Sequence, residues 1–348
     1  MVDENIYFPD IVGNKSLIRR LSRDISEKRL SHAYVIEGIK GSGRHTIAKN
    51  AIAAIECTAR ADGNVHASLP CGRCKSCEKI LLDKSPDVIT VGLEEDRATI
   101  GVETIRDLKE DIYTAPNDLS VKAYILEDAD LLTPQAQNAF LLSLEEPPAY
   151  IIFFLICENS ENLLETVRSR APTLRTERLS SDAIAEYLLK HDNRARELKD
   201  TSPGEWEEII CISQGSIGKG LEMLDSKKRA RTIEYRNMAK NLIAMLGRSN
   251  RAAAFEAIGA FGTKRAEVCR QISFLQYAIR DLLLLKKCET SPLCFFERRD
   301  DAIELSTHFT AHGLLSLYDA SVIAVDDLEA NANVRLTLIN MMQRAELI

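Results

Sequence analysis

The chain has 348 residues, of which 45% are hydrophobic, and its 45 lysines and arginines against 52 aspartates and glutamates give a net charge of -7. This length provides for two or three domains with buried cores. Because the acidic balance leaves no broad cationic surface for phosphate backbones, the composition argues against a protein that binds nucleic acid on its own.

The first ten residues, MVDENIYFPD, form neither a basic segment nor an apolar one, and no apolar stretch reaches the ~20 residues of a membrane span. We therefore expect a cytoplasmic protein without membrane contact. Cysteines stay reduced in that compartment, so clustering among the nine cysteines indicates a metal site before it indicates disulfides.

The first half of the chain alternates predicted strands with predicted helices. This alternation predicts a parallel sheet covered on both faces, the α/β class. The strands are expected at residues 33–37, 123–126 and 151–156, and the helices at 46–57, 102–112 and 135–144.

After residue 170 the pattern becomes helical. Short helices at 182–189 and 205–212, joined by polar loops, predict a small lid, and the chain is helical almost throughout from Ser226. Apolar residues at spacings of three and four mark one buried helix face, formed by Ile272, Leu275, Ile279 and Leu282. We predict three domains: an α/β domain at 1–172, a helical lid at 173–228 and an all-α domain at 229–348.

The stretch GIKGSGRHT follows the first strand, where a phosphate-binding loop of the form G-x-x-x-x-G-K-[ST] is expected. Gly38, Gly41 and Gly43 supply glycines that let backbone amides approach phosphates at a helix N-terminus. The alternative is a plain glycine turn between strand and helix. The flanking strand and helix patterns favour a loop descended from a nucleotide site.

Two key positions of this loop depart from the pattern. Arg44 stands where lysine reaches the phosphates, and it carries a planar fork in place of a compact ammonium. His45 stands where a hydroxyl holds Mg²⁺, for which an imidazole is a poor ligand. Thr46 is turned by roughly 100° along the helix, away from that position. The pattern predicts a degenerate site in which ATP binding is weak or absent.

The second predicted strand gives an independent check on this site. In nucleotide hydrolases the equivalent strand ends in Asp-Glu, which holds Mg²⁺ and activates water. Here the order is reversed, as Glu127 and Asp128. Acidic residues after a strand are also common as solvated turn residues. Together with the departures in the loop, the reversed order of the two acids favours a site that does not hydrolyse ATP.

A cysteine cluster follows the first helix. Cys71, Cys74 and Cys77 have two consecutive C-x-x-C spacings, and Cys57 lies at the end of the preceding helix, so four thiolates can bind one structural zinc. His66 is an alternative to Cys57, and four unrelated core cysteines are the simpler alternative. The other cysteines are predicted to be ordinary buried residues: Cys157, Cys211, Cys269, Cys288 and Cys294.

Several segments in this order carry a family resemblance. FPDIVGNKSLIRRL, SHAYVIEGIKGSGRHTIA, the cysteine cluster, LTPQAQNAFLLSLEEPP, IIFFLICENSENLLETVRSRA and LEANANVRLTLINMM together resemble the bacterial clamp-loader subunits of DNA polymerase III, an AAA+ family. The resemblance covers the chain from about Phe8 onward and is strongest before Arg170. It implies an AAA+ domain, a lid and a helical domain that joins the collar of a ring.

The resemblance also implies roles for single residues. Arg170, in VRSRA, matches the arginine finger that reaches ATP on a neighbouring subunit, although it is also explained as a solvated residue at a turn. Ala171 replaces the cysteine of that motif. Cys157 stands at the polar sensor 1 position, and Gly218 replaces the sensor 2 arginine. These departures suggest that the chain does not sense a nucleotide of its own.

Of the two similar family members, the ATP-hydrolysing gamma/tau subunit and the delta prime subunit, this chain resembles delta prime because its phosphate loop is degenerate. The resemblance implies partners: the gamma/tau and delta subunits, the sliding clamp, and primer-template DNA within the complex. Two alternatives remain open. One is a gamma/tau-like ATPase in which Arg44 and Glu127 still serve, and the other is a zinc-bearing adaptor outside replication.

Overall fold

The computed structural model describes residues 8–61, 68–94, 97, 99–248, 256, 258–291, 293, 295–296 and 298–345. The chain forms two compact units. The first consists of residues 1–187 with the short segment 215–219, and the second consists of residues 188–214 and 220–348. The finer division into three domains at residues 172 and 228 stays a prediction.

The first unit contains a five-stranded sheet in which every strand pair is parallel, in the order β2-β3-β4-β1-β5. Its strands are β1 (Ala33–Glu37), β2 (Val88–Val91), β3 (Lys122–Leu126), β4 (Ile151–Cys157) and β5 (Thr173–Arg175). Because all strands run the same way, their carboxyl ends meet at one edge of the sheet.

The central strands are buried on both faces, as a parallel sheet between helix layers requires. Every residue of β3 and β4 is buried. Alternate residues of β1 enter two separate cores: Tyr34 and Ile36 pack on one side, and Ala33 and Val35 on the other. The predicted sheet class is therefore confirmed.

Helices cover the two faces of this sheet. The helices within the first unit are α1 (Lys15–Ser26), α2 (Arg44–Ile55), α3 (Thr58–Ala61), α4 (Lys75–Leu81), α5 (Val102–Asp111), α6 (Pro134–Glu145) and α7 (Glu165–Arg168), and α8 (Ser181–His191) begins there. The start of α6 follows from its sequence: Thr133 accepts a hydrogen bond from the Ala136 amide at 3.2 Å, and Pro134 occupies the first helical position.

The second unit is helical in the residues that the structure describes. Its helices are α9 (Asn193–Thr201), α10 (Pro203–Ser213), α12 (Ser226–Gly247), α13 (Arg265–Lys287), α14 (Arg299–Thr307), α15 (Ala311–Glu329) and α16 (Val334–Arg344), with α11 (Ile217–Met223) beginning in the first unit. The predicted apolar face of α13 is confirmed, since Ile272, Leu275, Ile279 and Leu282 are fully buried. No helix in the described ranges is long and apolar enough to cross a membrane.

All three predicted strands are confirmed, but β2 and β5 were not predicted. Both lie at the edges of the sheet. β2 has no fully buried residue, and β5 has three residues, of which only Leu174 is buried. Edge strands bury less apolar surface than central ones, so neither carries the continuous apolar run by which the others were recognised.

A buried ion pair anchors α10 to α12 within the second unit. The Arg236 side chain is 2% exposed; its Nη1 lies 3.2 Å from Glu208 Oε1, and its Nε donates to the Phe295 carbonyl at 2.9 Å. Asp281, also buried, accepts the Phe295 amide at 2.7 Å. Two opposite charges thus fix the backbone at residue 295.

We expect Arg236→Met to lower the free energy of unfolding of the second unit by roughly 3–5 kcal/mol, because it leaves the partner groups unpaired. Trp206 is the only tryptophan of the chain and lies buried in α10, so its fluorescence in a urea titration reports on this unit. Arg231→Met, on the same helix but 64% exposed, is the matched control and should change stability little. If Arg236→Met and Arg231→Met were equally stable, the stabilising role of the buried ion pair would be contradicted.

Candidate functional site

The glycine loop lies between β1 and α2, at the carboxyl edge of the sheet and next to β4. Gly41 and Gly43 have φ of 78° and 85°, in the left-handed region that favours glycine. Gly43 is the N-cap of α2 and provides no side-chain cap. The loop therefore retains the geometry of a phosphate-binding site, a turn that opens into an uncapped helix N-terminus.

Other backbone occupies the space behind the loop. The Gly218 amide donates to the Gly41 carbonyl at 2.9 Å, and Ser216 Oγ donates to the Lys40 carbonyl at 2.9 Å. A Cβ on Gly218 would lie 2.6 Å from Gly41 Cα. Gly218 lacks the charge of the expected arginine. In addition, no side chain fits at this position without moving the loop.

Gly38 is equally confined, because a Cβ there would lie 1.7 Å from Thr176 Oγ1. Thr176 follows β5, and its hydroxyl donates to Ser42 Oγ at 3.0 Å. The loop is thus packed against the end of β5 on one side and residues 216–218 on the other. Its conformation is fixed by the protein itself.

Arg44, at the lysine position, is 7% exposed. Its Nη1 is buried and has no hydrogen-bond partner among the described residues. The Arg44 charge contributes to lowering the pKa of Glu127. A buried donor without a partner costs free energy, so this guanidinium has unused capacity for an anion.

His45 and Glu127 bond directly to each other. Their Nδ1 and Oε1 atoms are 2.6 Å apart, and the side chains are 33% and 42% exposed. This hydrogen bond is the largest cause that lowers the pKa of Glu127, with the charge of Arg44 adding to it. The hydroxyl residue and the aspartate that hold Mg²⁺ in a working site are thus replaced by two groups that satisfy one another.

The other two residues predicted for this site lie apart from that contact. Thr46 is exposed. Asp128 has a left-handed backbone, with φ of 49°, at the start of a short 3₁₀ turn. Of the reversed acidic pair, it is Glu127 that faces the loop.

Cys157, at the predicted sensor 1 position, ends β4 beside Glu37 of β1. The residue is fully buried, and burial together with the nearby Asp130 and Glu37 carboxylates raises the pKa of its thiol to about 12. A neutral buried thiol is a weak hydrogen-bond donor. It does not replace the hydroxyl or amide expected there.

The four clustered cysteines come together as predicted. The sulfur atoms of Cys57, Cys71, Cys74 and Cys77 all lie within 4.8 Å of one another. A tetrahedral zinc site with bonds of about 2.3 Å has sulfur–sulfur edges of about 3.8 Å. The Cys71 and Cys77 sulfurs, at 4.0 Å, already approach that distance. This group can hold a zinc ion with no open position for catalysis.

Burial opposes ionisation of the Cys74 thiol, but backbone amides of Cys77 and Thr58 lower its pKa to about 6. Such amides suit a metal-bound thiolate. His66, the alternative ligand, and Cys294 lie outside the described residues. The prediction that the remaining cysteines are buried is wrong for Cys288, which is exposed, and for the half-buried Cys211 and Cys269. Cys211 and Cys269 lie on partly outward-facing helix positions, and Cys288 follows the end of α13.

Arg170 lies just after α7 and is half-buried. Its Nη1 donates to the Thr166 carbonyl at 2.8 Å, and its Nη2 lies 2.6 Å from Glu145 Oε1 at the end of α6. Glu145 belongs to LTPQAQNAFLLSLEEPP, one of the segments that carry the family resemblance. The structure brings it into contact with the predicted finger.

Sequence reasoning also missed Gln137. This fully buried side chain of α6 donates to the Asn162 carbonyl at 3.2 Å and accepts the Leu164 amide at 2.6 Å. It therefore ties α6 to the loop before α7. A glutamine among the polar residues of PQAQN gives no signal that distinguishes it in one sequence.

The parallel sheet, with a glycine loop between β1 and an uncapped helix, defines a domain with the P-loop fold. A family model described as "DNA polymerase III, delta subunit" matches residues 13–180. DNA polymerase III subunit tau of Bacillus subtilis is 30% identical over 220 residues, 63% of this chain and 37% of that protein. Subunit tau of Escherichia coli is 27% identical over 221 residues, 63% of this chain and 32% of that protein.

A DNA polymerase III gamma subunit-related protein from Thermotoga maritima also aligns in structure, with a TM-score of 0.46 and 18% identity over 94% of this chain and 99% of that one. The chain spans about a third of the length of the tau subunits it matches. Over these regions the chain is similar to the clamp-loader subunits of DNA polymerase III. The family resemblance seen in the sequence is confirmed.

The contact between His45 and Glu127 has a pH signature. A carboxylate whose pKa is lowered by folding stabilises the fold above its ordinary range, and this contribution is lost as the pH falls through the lowered value. The contact should therefore weaken in acid below the ordinary pKa of 4.5. We expect His45→Ala to raise the pKa of Glu127 toward 4.5, measured by NMR titration of its carboxyl carbon. Thr46→Ala is the control, and identical titrations in wild type and His45→Ala would contradict the contact.

Proposed function

We propose that this chain is the delta prime subunit of the clamp loader, a non-hydrolysing, stator-like member that donates Arg170 to the ATP site of a neighbouring gamma/tau subunit. In this role it helps to load the sliding clamp on primed DNA in the cytoplasm. The observation that carries the proposal is the bond between His45 and Glu127 at the place where a working subunit holds Mg²⁺. A chain that does not hold the catalytic Mg²⁺ itself would serve the ring through the arginine that it donates to a neighbour.

The chemistry of the loop supports the absence of turnover. Hydrolysis of ATP needs a metal ion that bridges the phosphates and a carboxylate that orients water. Here Glu127 has one oxygen bonded to an imidazole. To hold Mg²⁺, Glu127 would have to give up its bond to His45. The His45 imidazole is itself a poor ligand for this hard cation. Gly218 adds a second obstacle, because it brings no positive charge.

Charge supports a role within an assembly. With a net charge of -7, the chain is a poor ligand for DNA by itself. We infer that gamma/tau and delta subunits supply the positive surface for primer-template DNA. The similarity of this chain to DNA polymerase III subunit tau of Bacillus subtilis supports partners that are related to it in sequence.

A gamma/tau-like ATPase is the second candidate function. The buried Nη1 of Arg44, without a partner among the described residues, favours it, because an anion would satisfy that donor. Such a site could bind a nucleotide weakly, either with or without hydrolysing it. A zinc-bearing adaptor outside replication remains as a third hypothesis, to which failure to assemble with delta and gamma/tau would point.

We also propose that the four clustered cysteines bind a structural zinc ion. All four sulfurs are close enough for tetrahedral coordination, and two of the residues, Cys57 and Cys77, are buried. The site follows α2, the helix that begins at the phosphate loop. Zinc would pin the end of that helix to the segment that precedes β2.

The finger is tested by reconstitution. Gamma/tau and delta subunits are combined with this chain as wild type or Arg170→Ala, and the DNA-dependent, clamp-stimulated ATPase is measured. We expect the increase due to this chain to fall by roughly tenfold or more, since a guanidinium in trans stabilises the transferring phosphoryl group.

Arg168→Ala is the matched control, because Arg168 is an exposed arginine at the end of α7, two residues before Arg170. Assembly of each variant is checked by gel filtration. If Arg170→Ala assembles and performs like wild type, the finger proposal is wrong. Mg-ATP turnover by the isolated chain, above that of Arg44→Ala, would instead support the gamma/tau-like ATPase.

The zinc site predicts one zinc ion per native chain by elemental analysis. Cys77→Ser should lose the ion and lower the thermal midpoint, because binding to four thiolates is coupled to folding. Cys288→Ser, at an exposed cysteine outside the cluster, should retain both. A native wild-type protein without metal would rule the site out.

A further inference from the structure

We propose that Glu145 is the positioning residue of the arginine finger: it holds the Arg170 guanidinium in the orientation in which it meets the neighbour's ATP. The inference rests on the proposed function of Arg170. Its structural basis is a side chain held at two points, by Glu145 at Nη2 and by the Thr166 carbonyl at Nη1.

The guanidinium needs such support because a free arginine is flexible. Its long side chain has several rotatable bonds, and ordering them during catalysis costs conformational entropy. Arg170 is half-exposed, so packing alone does not restrain it. Two hydrogen bonds to fixed atoms set its direction in advance, which is what an electrostatic catalytic group requires.

The atoms that hold Arg170 are themselves fixed. Glu145 is the last residue of α6, whose Phe140 and Leu144 are fully buried in the core below the sheet. Near the start of the same helix, Gln137 bonds to the loop that leads into α7. Both ends of α6 therefore contact the segment from residue 162 to Arg170, and the helix holds that segment in place.

The position of Glu145 is otherwise unfavourable. A carboxylate in the last turn of a helix faces the negative end of the helix dipole, and this turn contains no basic residue to offset it. The charge of Arg170 compensates it. The pair thus explains an acidic residue that helix stability alone would disfavour.

The hydrogen bonds that hold Arg170 do not use all the N–H donors of its guanidinium. A guanidinium has five N–H groups. Thr166 and Ser169 accept from Nη1, and Glu145 accepts from Nη2. Among the described residues, no acceptor is bonded to Nε or to the second proton of Nη2. These donors remain for phosphate oxygens, so that support and catalysis can operate together.

The test uses the full chain in the reconstituted clamp loader with Mg-ATP, primed DNA and the clamp. Glu145→Ala is expected to lower the chain-dependent increase in ATPase rate about three- to tenfold at saturating ATP, with little change in the KM for ATP. Glu145→Gln should recover part of this loss, since its amide oxygen can still accept from Nη2. Glu146→Ala, the adjacent exposed glutamate, is the matched control and should match wild type.

The double variant Glu145→Ala with Arg170→Ala separates positioning from a merely structural role. If Glu145 acts only through Arg170, the double variant performs like Arg170→Ala alone, and the two losses do not add. Additive losses, an unchanged rate in Glu145→Ala, or a rate above wild type would each overturn the inference, the last by showing that Glu145 competes with phosphate for the finger. If Arg170→Ala itself has no effect, the proposed function fails, and the two failures are thereby distinguished.

Discussion

The burial of one parallel sheet on both faces governs the arrangement of the first unit. β3 and β4 contain no exposed residue, so helices must cover both sides, and each strand must return by a crossover. One consequence is that every strand delivers its final residues to the same edge. The glycine loop after β1, Glu127 after β3 and Cys157 at the end of β4 meet there for that reason. Residues far apart in sequence thus form one site without any local signal that joins them.

The sequence predicts the buried part of this fold well and the edges poorly. β1, β3 and β4 are recognisable because a continuous apolar run marks a strand covered on two sides. β2 and β5 bury little and mix polar with apolar residues, so a single sequence gives no comparable pattern. The cysteine cluster was predictable for a different reason. Metal ligands need short fixed spacings, and C-x-x-C provides them whatever the surrounding fold.

The contacts of the candidate site were less accessible from sequence than its members. The loop pattern identified His45 and Glu127 as departures, but only the structure shows that they bond to each other. Likewise, Arg170 was identified by resemblance, whereas its partner Glu145 had no assigned role. Pairings of this kind depend on side-chain reach across separate elements. The periodicity of one chain contains no information about them, because any nearby acid would give the same pattern.

The close approach of Gly218 to Gly41 limits how the site could be redesigned. A variant with lysine, a hydroxyl and aspartate at positions 44, 45 and 127 would still lack the second sensor, because a side chain at position 218 meets the loop backbone at 2.6 Å. An arginine there first requires the loop to shift, and the loop is held by Thr176 and Ser216. Building a working nucleotide site into this chain by design therefore needs coordinated changes in the loop and in its neighbours, because no single substitution at position 218 fits the present backbone.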